Sequence, residues 1–113
     1  MEDIQVEQAL NYIRDHSKEY ATAKANRVYL MEFRKSKKAI LMTVAEKGGA
    51  KTVAAQEREA YASNEYQELL EGLRVAVENE EYLRYQLKVA ELKFEQYRTK
   101  EASRRAEFKR YGN

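Results

Sequence analysis

From residue 2 to residue 46 the chain contains neither glycine nor proline, and proline is absent from all 113 residues. Both residues break helices: glycine by the backbone entropy it loses on ordering, proline by its missing N–H and the clash of its ring with the preceding turn. A chain that omits them over such a length is constrained to helix. Charged residues make up 35% of the sequence, alongside 15 Ala and 9 Leu. That mixture marks long helices and coiled coils.

Val, Ile, Leu, Met and Phe together number only 25, thin for a globular core. Disorder, however, goes with high net charge and few aromatics. Here the net charge is +2 and there are nine tyrosines, so an ordered all-α chain is expected. The absence of cysteine excludes disulfides and thiolate metal sites and fits a reducing compartment. The opening MEDIQVEQALNYIRD is acidic and lacks the apolar stretch of a signal peptide. No run of 18 apolar residues exists, so no membrane span is expected. The expectation is one cytoplasmic domain over residues 1–113.

In the first arm, residues 2–46, apolar side chains recur at mixed three- and four-residue steps: Ile4, Val6, Leu10, Ile13, Tyr20, Val28, Met31, Ile40, Leu41 and Val44. One long helix is the reading. The small alanines of 19–27 would admit a close neighbour. The second arm, residues 51–110, has a cleaner pattern. Steps of three and four from Tyr66 give Leu69, Leu73, Ala76, Glu80, Leu83, Leu87, Ala90, Phe94 and Tyr97. Nine of these ten are apolar or aromatic, a heptad seam that needs a partner helix. Glu80 breaks it and reads as a partly exposed register marker. Asn64, with Gln67 three residues on, has capping-box spacing. The second arm is therefore either one helix or two, with a break near 62–64.

Gly48 and Gly49, in EKGGAK, are the only adjacent glycines. A phosphate loop is disfavoured, since no strand precedes them and the Gly-Lys-Ser/Thr ending is missing. A flexible hinge in one rod remains open. An antiparallel turn over 47–50 is preferred, because glycine supplies the left-handed conformation that ends a helix. Charge supports this. Residues 27–51 hold seven basic and two acidic side chains, whereas 59–82 hold one basic and seven acidic. Folding at the glycines sets these blocks side by side, as it does the acidic 1–26 and the basic 83–113. The fold expected is a long antiparallel helical hairpin, a coiled coil. Because two helices bury only one stripe each, it is expected to self-associate.

A hairpin closing at 48–49 leaves YRTKEASRRAEFKRYGN as an overhang. It carries Arg98, Lys100, Arg104, Arg105, Lys109 and Arg110 against Glu101 and Glu107, with Phe108 and Tyr111 among them. Cations interleaved with rings suit single-stranded nucleic acid: the charges neutralise phosphates and the rings offer stacking faces to bases. Two other readings stay open, packing of Phe108 in an oligomer and a solvated tail that complements the helix dipole. The basic FRKSKK at 33–38 reads as facing the acidic stretch of the other arm.

Catalysis finds little support. His16, the single histidine, reads as a surface residue. Glu80 and Glu81 are adjacent on a helix and point about 100° apart. No metal site, no cofactor and no small-molecule substrate is expected, and the chain reads as a non-enzyme.

The run AAQEREAYASNEYQELLEGLRVAVENEEYLRYQLKVAELKFEQYRTKEASRR, residues 54–105, resembles a group of small all-helical proteins encoded by tailed bacteriophages and prophages. KANRVYLMEFRKSKKAILM in the first arm resembles the same group, so the likeness covers most of the chain. It implies an accessory protein in a bacterial host's cytoplasm, from genes for recombination and replication. No residue roles come with it. The partner classes it leaves are single-stranded DNA, a DNA-metabolism protein, or, on a pure protein-interaction reading, a host enzyme or an assembly using the seam and the acidic band at 59–82.

Overall fold

The computed structural model describes the backbone of residues 2–111 and the side chains of residues 4–111. Gly112 and Asn113 of the expected overhang lie outside the described residues. The elements are α1 (Glu2–Lys47), α2 (Val53–Ala62) and α3 (Asn64–Tyr111), with no strand among the described residues. The chain divides into two compact units, one from residues 22–80 and one from the described parts of 1–21 and 81–113.

In the unit of 22–80, the end of α1 is set by Gly49, whose φ of 113° few L side chains adopt. Gly49 N–H donates to the Glu46 carbonyl (3.1 Å) and Ala50 N–H to the Ala45 carbonyl (3.0 Å). This pair of bonds is the Schellman stop, and it satisfies carbonyls that the helix end would otherwise orphan. Ala45 and Ala50 are both buried, the apolar contact that accompanies such a stop. Thr52 then opens α2, its hydroxyl accepting from Ala55 N–H at 3.1 Å.

Between α2 and α3 lies one residue, Ser63, in extended conformation. Its hydroxyl accepts from Tyr66 N–H (3.2 Å) and donates to the Ala60 carbonyl (2.8 Å). Ser63, not Asn64, therefore caps α3, and Asn64 is already helical. Gln67 reaches back to the Tyr61 carbonyl (2.8 Å), bracing the junction from the other side. The resulting bend lets α2 cover Leu41. Leu41, Ala60 and Tyr66 form the core here, with Met42 and Leu70 against it. Tyr61 meets Tyr66 edge-on at 5.2 Å.

Three ion pairs join α1 to α2 and α3 within this unit. Lys38 meets Glu57 at 3.3 Å, Lys37 meets Glu65 at 2.8 Å, and Arg27 meets Glu80 at 2.6 Å. As the α1 partner moves towards the N-terminus, its mate moves towards the C-terminus, so these segments run in opposite directions. The Tyr61 hydroxyl and the Glu57 carboxylate hold the Lys38 ammonium above the usual lysine range.

Every position of the α3 heptad from Tyr66 to Tyr97 is buried or half-buried: Tyr66, Leu69, Leu73, Ala76 and Glu80 in the 22–80 unit, and Leu83, Leu87, Ala90, Phe94 and Tyr97 in the other. Glu80 departs from its sequence reading. It is 5% exposed, and both carboxylate oxygens accept from Arg27. In α1 the half-buried and buried residues also follow alternating three- and four-residue steps: Val6, Ala9, Ile13, His16 and Tyr20 in one unit, Ala23, Arg27, Leu30, Arg34, Lys37 and Leu41 in the other. Four of these eleven are polar. Ile4, Leu10, Val28, Met31, Ile40 and Val44, read from sequence as the apolar pattern, are exposed instead.

His16 is a second departure. It is half-buried rather than a surface residue, its ring stacks on Tyr12 at 4.0 Å, and its Nδ1–H donates to the Tyr12 carbonyl at 3.0 Å.

Candidate nucleic-acid interface

The residues singled out for phosphate and base contact all lie on α3, which is helical to Tyr111. Glu101 is the last half-buried residue; 102–111 are exposed. At 100° per residue, Arg98, Arg105 and Lys109 share one face of the helix. Phe108 and Tyr111, 68% and 75% exposed, present their rings to solvent.

The cations are not equivalent. Arg98 is held by Glu95 at 3.2 Å and Arg104 by Glu101 at 2.8 Å, both one turn back on the same helix. Arg110 lies over the Tyr111 ring at 5.3 Å. Arg105 and Lys109 make no ion pair within the described residues. An exposed pair such as Arg98–Glu95 contributes at most about 1 kcal/mol, so a phosphate can replace the carboxylate at Arg98 at little cost, whereas Arg104 is held by the half-buried Glu101.

A feature missed by the sequence reading lies within the same unit. Residues of Gln5–Tyr12 on α1 and Gln86–Lys100 on α3 enclose a groove of about 450 Å³. Ala9 and Ala90, both buried, line it, and their small side chains leave the space open. Among the described residues its polar lining is Gln5, Gln8, Gln86, Gln96, Lys93 and Lys100, together with Tyr12 and Tyr97, with no carboxylate. The Tyr12 hydroxyl is pushed above the usual tyrosine range by burial, then by Tyr82 and Glu19.

The turn glycines sit in the other unit. Gly48 and Gly49 serve the helix stop described above. A second groove, of about 460 Å³, is lined by eight residues without a charge among them, including Tyr29, Leu30, Val75 and Gly72. A Cβ at Gly72 would meet nothing within 4 Å. Among the described residues no group of three or more His, Asp or Glu side chains is placed to hold a metal ion. No helix of the described residues is long and apolar enough to cross a membrane.

Comparison with protein-family models, with curated proteins and with solved structures finds no match to this chain.

Proposed function

We propose that this chain is a non-catalytic accessory protein of DNA recombination or replication, binding single-stranded DNA, or a protein already on DNA, through the basic segment 98–111. The observation that carries the reading is the solvent-facing set of Arg105, Lys109, Phe108 and Tyr111 beyond the last half-buried residue of α3. Cations without a protein partner next to exposed rings are the two components a sequence-tolerant single-strand site requires. The bacteriophage setting, in a bacterial host's cytoplasm, rests on the sequence resemblance alone.

The test is fluorescence anisotropy of labelled single-stranded and duplex DNA across a salt series. Binding to single strands that weakens linearly in log salt is the expected result. Truncation after Arg98 is expected to abolish it while circular dichroism stays helical. Binding that survives the truncation would remove the tail from the reading.

The finer architecture belongs to the same proposal: a long antiparallel helical hairpin that self-associates. What supports self-association is the α1 face of Tyr29, Phe33, Ile40 and Val44, all exposed and at helical spacing, beside the uncharged groove at Gly72. In a chain with 35% charged residues, so large an uncharged surface is where a second apolar helix face would dock. The same face favours the other reading, a coiled-coil factor that meets a host enzyme or an assembly partner without touching nucleic acid. A single protein captured with no affinity for DNA would select it.

A further inference from the structure

The groove between residues 5–12 and 86–100 has a lining that a solvated helix surface does not explain. The chain has six glutamines, and four of them, Gln5, Gln8, Gln86 and Gln96, meet here. The other two have structural work: Gln56 donates to the Ala50 carbonyl at 3.0 Å and Gln67 to the Tyr61 carbonyl at 2.8 Å. The groove glutamines make no hydrogen bond within the described residues. Four amides, each with two donors and an acceptor oxygen, therefore line one space, and none is committed to a protein partner within the described residues.

Three further properties define what fits. Among the described residues the lining carries Lys93 and Lys100 and no carboxylate, and Lys93 supplies a cation for an anionic group. Val89 and Ala90 supply an apolar surface against which a flat ring can lie. The volume of about 450 Å³ falls among sites that enclose small organic groups, about 300–1,000 Å³. Amides that read paired donors and acceptors, an apolar surface and a cation describe a nucleobase with its phosphate. Glutamine matches the donor–acceptor pair of an adenine edge. Such edges are open in single strands, whose bases are splayed out for side chains to read. In a duplex the bases stay stacked and would have to be flipped out to enter such a groove.

We propose that this groove receives a nucleotide of single-stranded nucleic acid, with the amides of Gln8 and Gln96 on the base edge and Lys93 on the phosphate. The inference rests on the single-strand reading above and deepens it. The exposed segment 98–111 then supplies sequence-independent attraction, and the groove supplies contact with the base.

The experiment compares three variants with the unaltered chain, using labelled homopolymers of deoxyadenosine and deoxythymidine in an anisotropy salt series. Lys93→Ala removes the phosphate contact. Lys88→Ala removes the same charge from the same helix outside the groove. Gln8→Ala with Gln96→Ala removes two amides at exposed positions, where folding is not at stake; circular dichroism checks this for all three.

Lys93→Ala is expected to make the slope of log affinity on log salt shallower by about 0.7, the contribution of one phosphate contact on a single strand, and Lys88→Ala to leave it unchanged. The double glutamine variant is expected to keep the slope but weaken binding to the preferred homopolymer about tenfold. If single strands bind and both groove variants behave like Lys88→Ala, the groove assignment is overturned and the basic segment stands. If the unaltered chain binds no single strand at low salt, the single-strand reading falls and takes the groove with it.

Discussion

Arg27 grips Glu80 in two places, Nε donating to Oε2 at 2.6 Å and Nη2 to Oε1 at 3.0 Å. The two side chains are unequally covered: 26% of Arg27 is exposed and 7% of Glu80. Removing one partner of a buried pair costs more than the pair is worth, because a desolvated charge is left behind. The unequal cover makes the direction specific. Arg27→Ala strands a carboxylate that water barely reaches, and is expected to cost about 3 kcal/mol in urea unfolding. Glu80→Ala leaves a guanidinium that can turn to solvent, and is expected to cost clearly less. Arg27→Met with Glu80→Leu is expected to recover most of the loss. Equal costs for the two single variants would mean that the pair is solvated.

Gly49 and Gly48 predict opposite outcomes for the same substitution one residue apart. Gly49 sits at φ 113°, where a Cβ is strained whatever the space. Gly48 has no such torsion, and a Cβ there meets only the Ala45 and Val44 carbonyl oxygens at 3.5 Å, ordinary contact. Gly49→Ala is expected to destabilise by roughly 1–2 kcal/mol, and Gly48→Ala to be neutral or slightly stabilising through the unfolded state. Thermal unfolding of both variants measures the difference. Matching melting temperatures would put the helix stop elsewhere than Gly49.

How legible each helix was in the sequence follows from what occupies its seam. In α3, nine of ten heptad slots are apolar or aromatic, so periodicity alone marks them. In α1, His16, Arg27, Arg34 and Lys37 occupy seam slots while Ile4, Leu10, Val28, Met31, Ile40 and Val44 lie off them. An apolar-only template therefore follows the wrong face. The signal that would have corrected it is Glu80: one carboxylate in an otherwise apolar seam asks for a cation in the facing seam, and Arg27 stands in α1's. The α3 cap was displaced by one residue because Ser63 and Asn64 are both good capping types. The Asn64–Gln67 spacing favoured the second, whereas the Ser63 hydroxyl closes on Tyr66 N–H. The glutamine groove was not read because glutamines carry neither the apolar period nor the charge that placed 1–26 beside 83–113.

Tyr12 contributes to the alkaline behaviour of its unit. Burial, Tyr82 and Glu19 raise its pKa above the usual tyrosine value. A raised folded-state pKa contributes stability that is complete below the unfolded tyrosine pKa, near 10, and is lost as pH rises through the folded value. Stability by urea unfolding is therefore expected to fall as pH is taken above 10. Tyr12→Phe, which cannot ionise, is expected to flatten the fall. An identical decline in the variant would assign it to other tyrosines or lysines.

The proposed self-association through the unit of 22–80 makes Gly72 the most informative position. A glycine inside a helix costs about 0.5–1 kcal/mol relative to alanine, and here a Cβ would meet nothing within 4 Å. Intramolecular packing therefore gives no reason for it. A partner helix seated in the groove beside Tyr29 and Val75 does give one, since it would occupy the space a side chain would fill. Gly72→Ala is expected to raise the stability of the monomer, while Gly72→Leu fills the groove and lowers the mass measured by light scattering towards that of one chain. Phe33→Glu and Ile40→Glu place charges on the neighbouring exposed face and are expected to do the same with helicity retained. A mass unchanged by all three would exclude this face as the interface and leave Gly72 with no packing role.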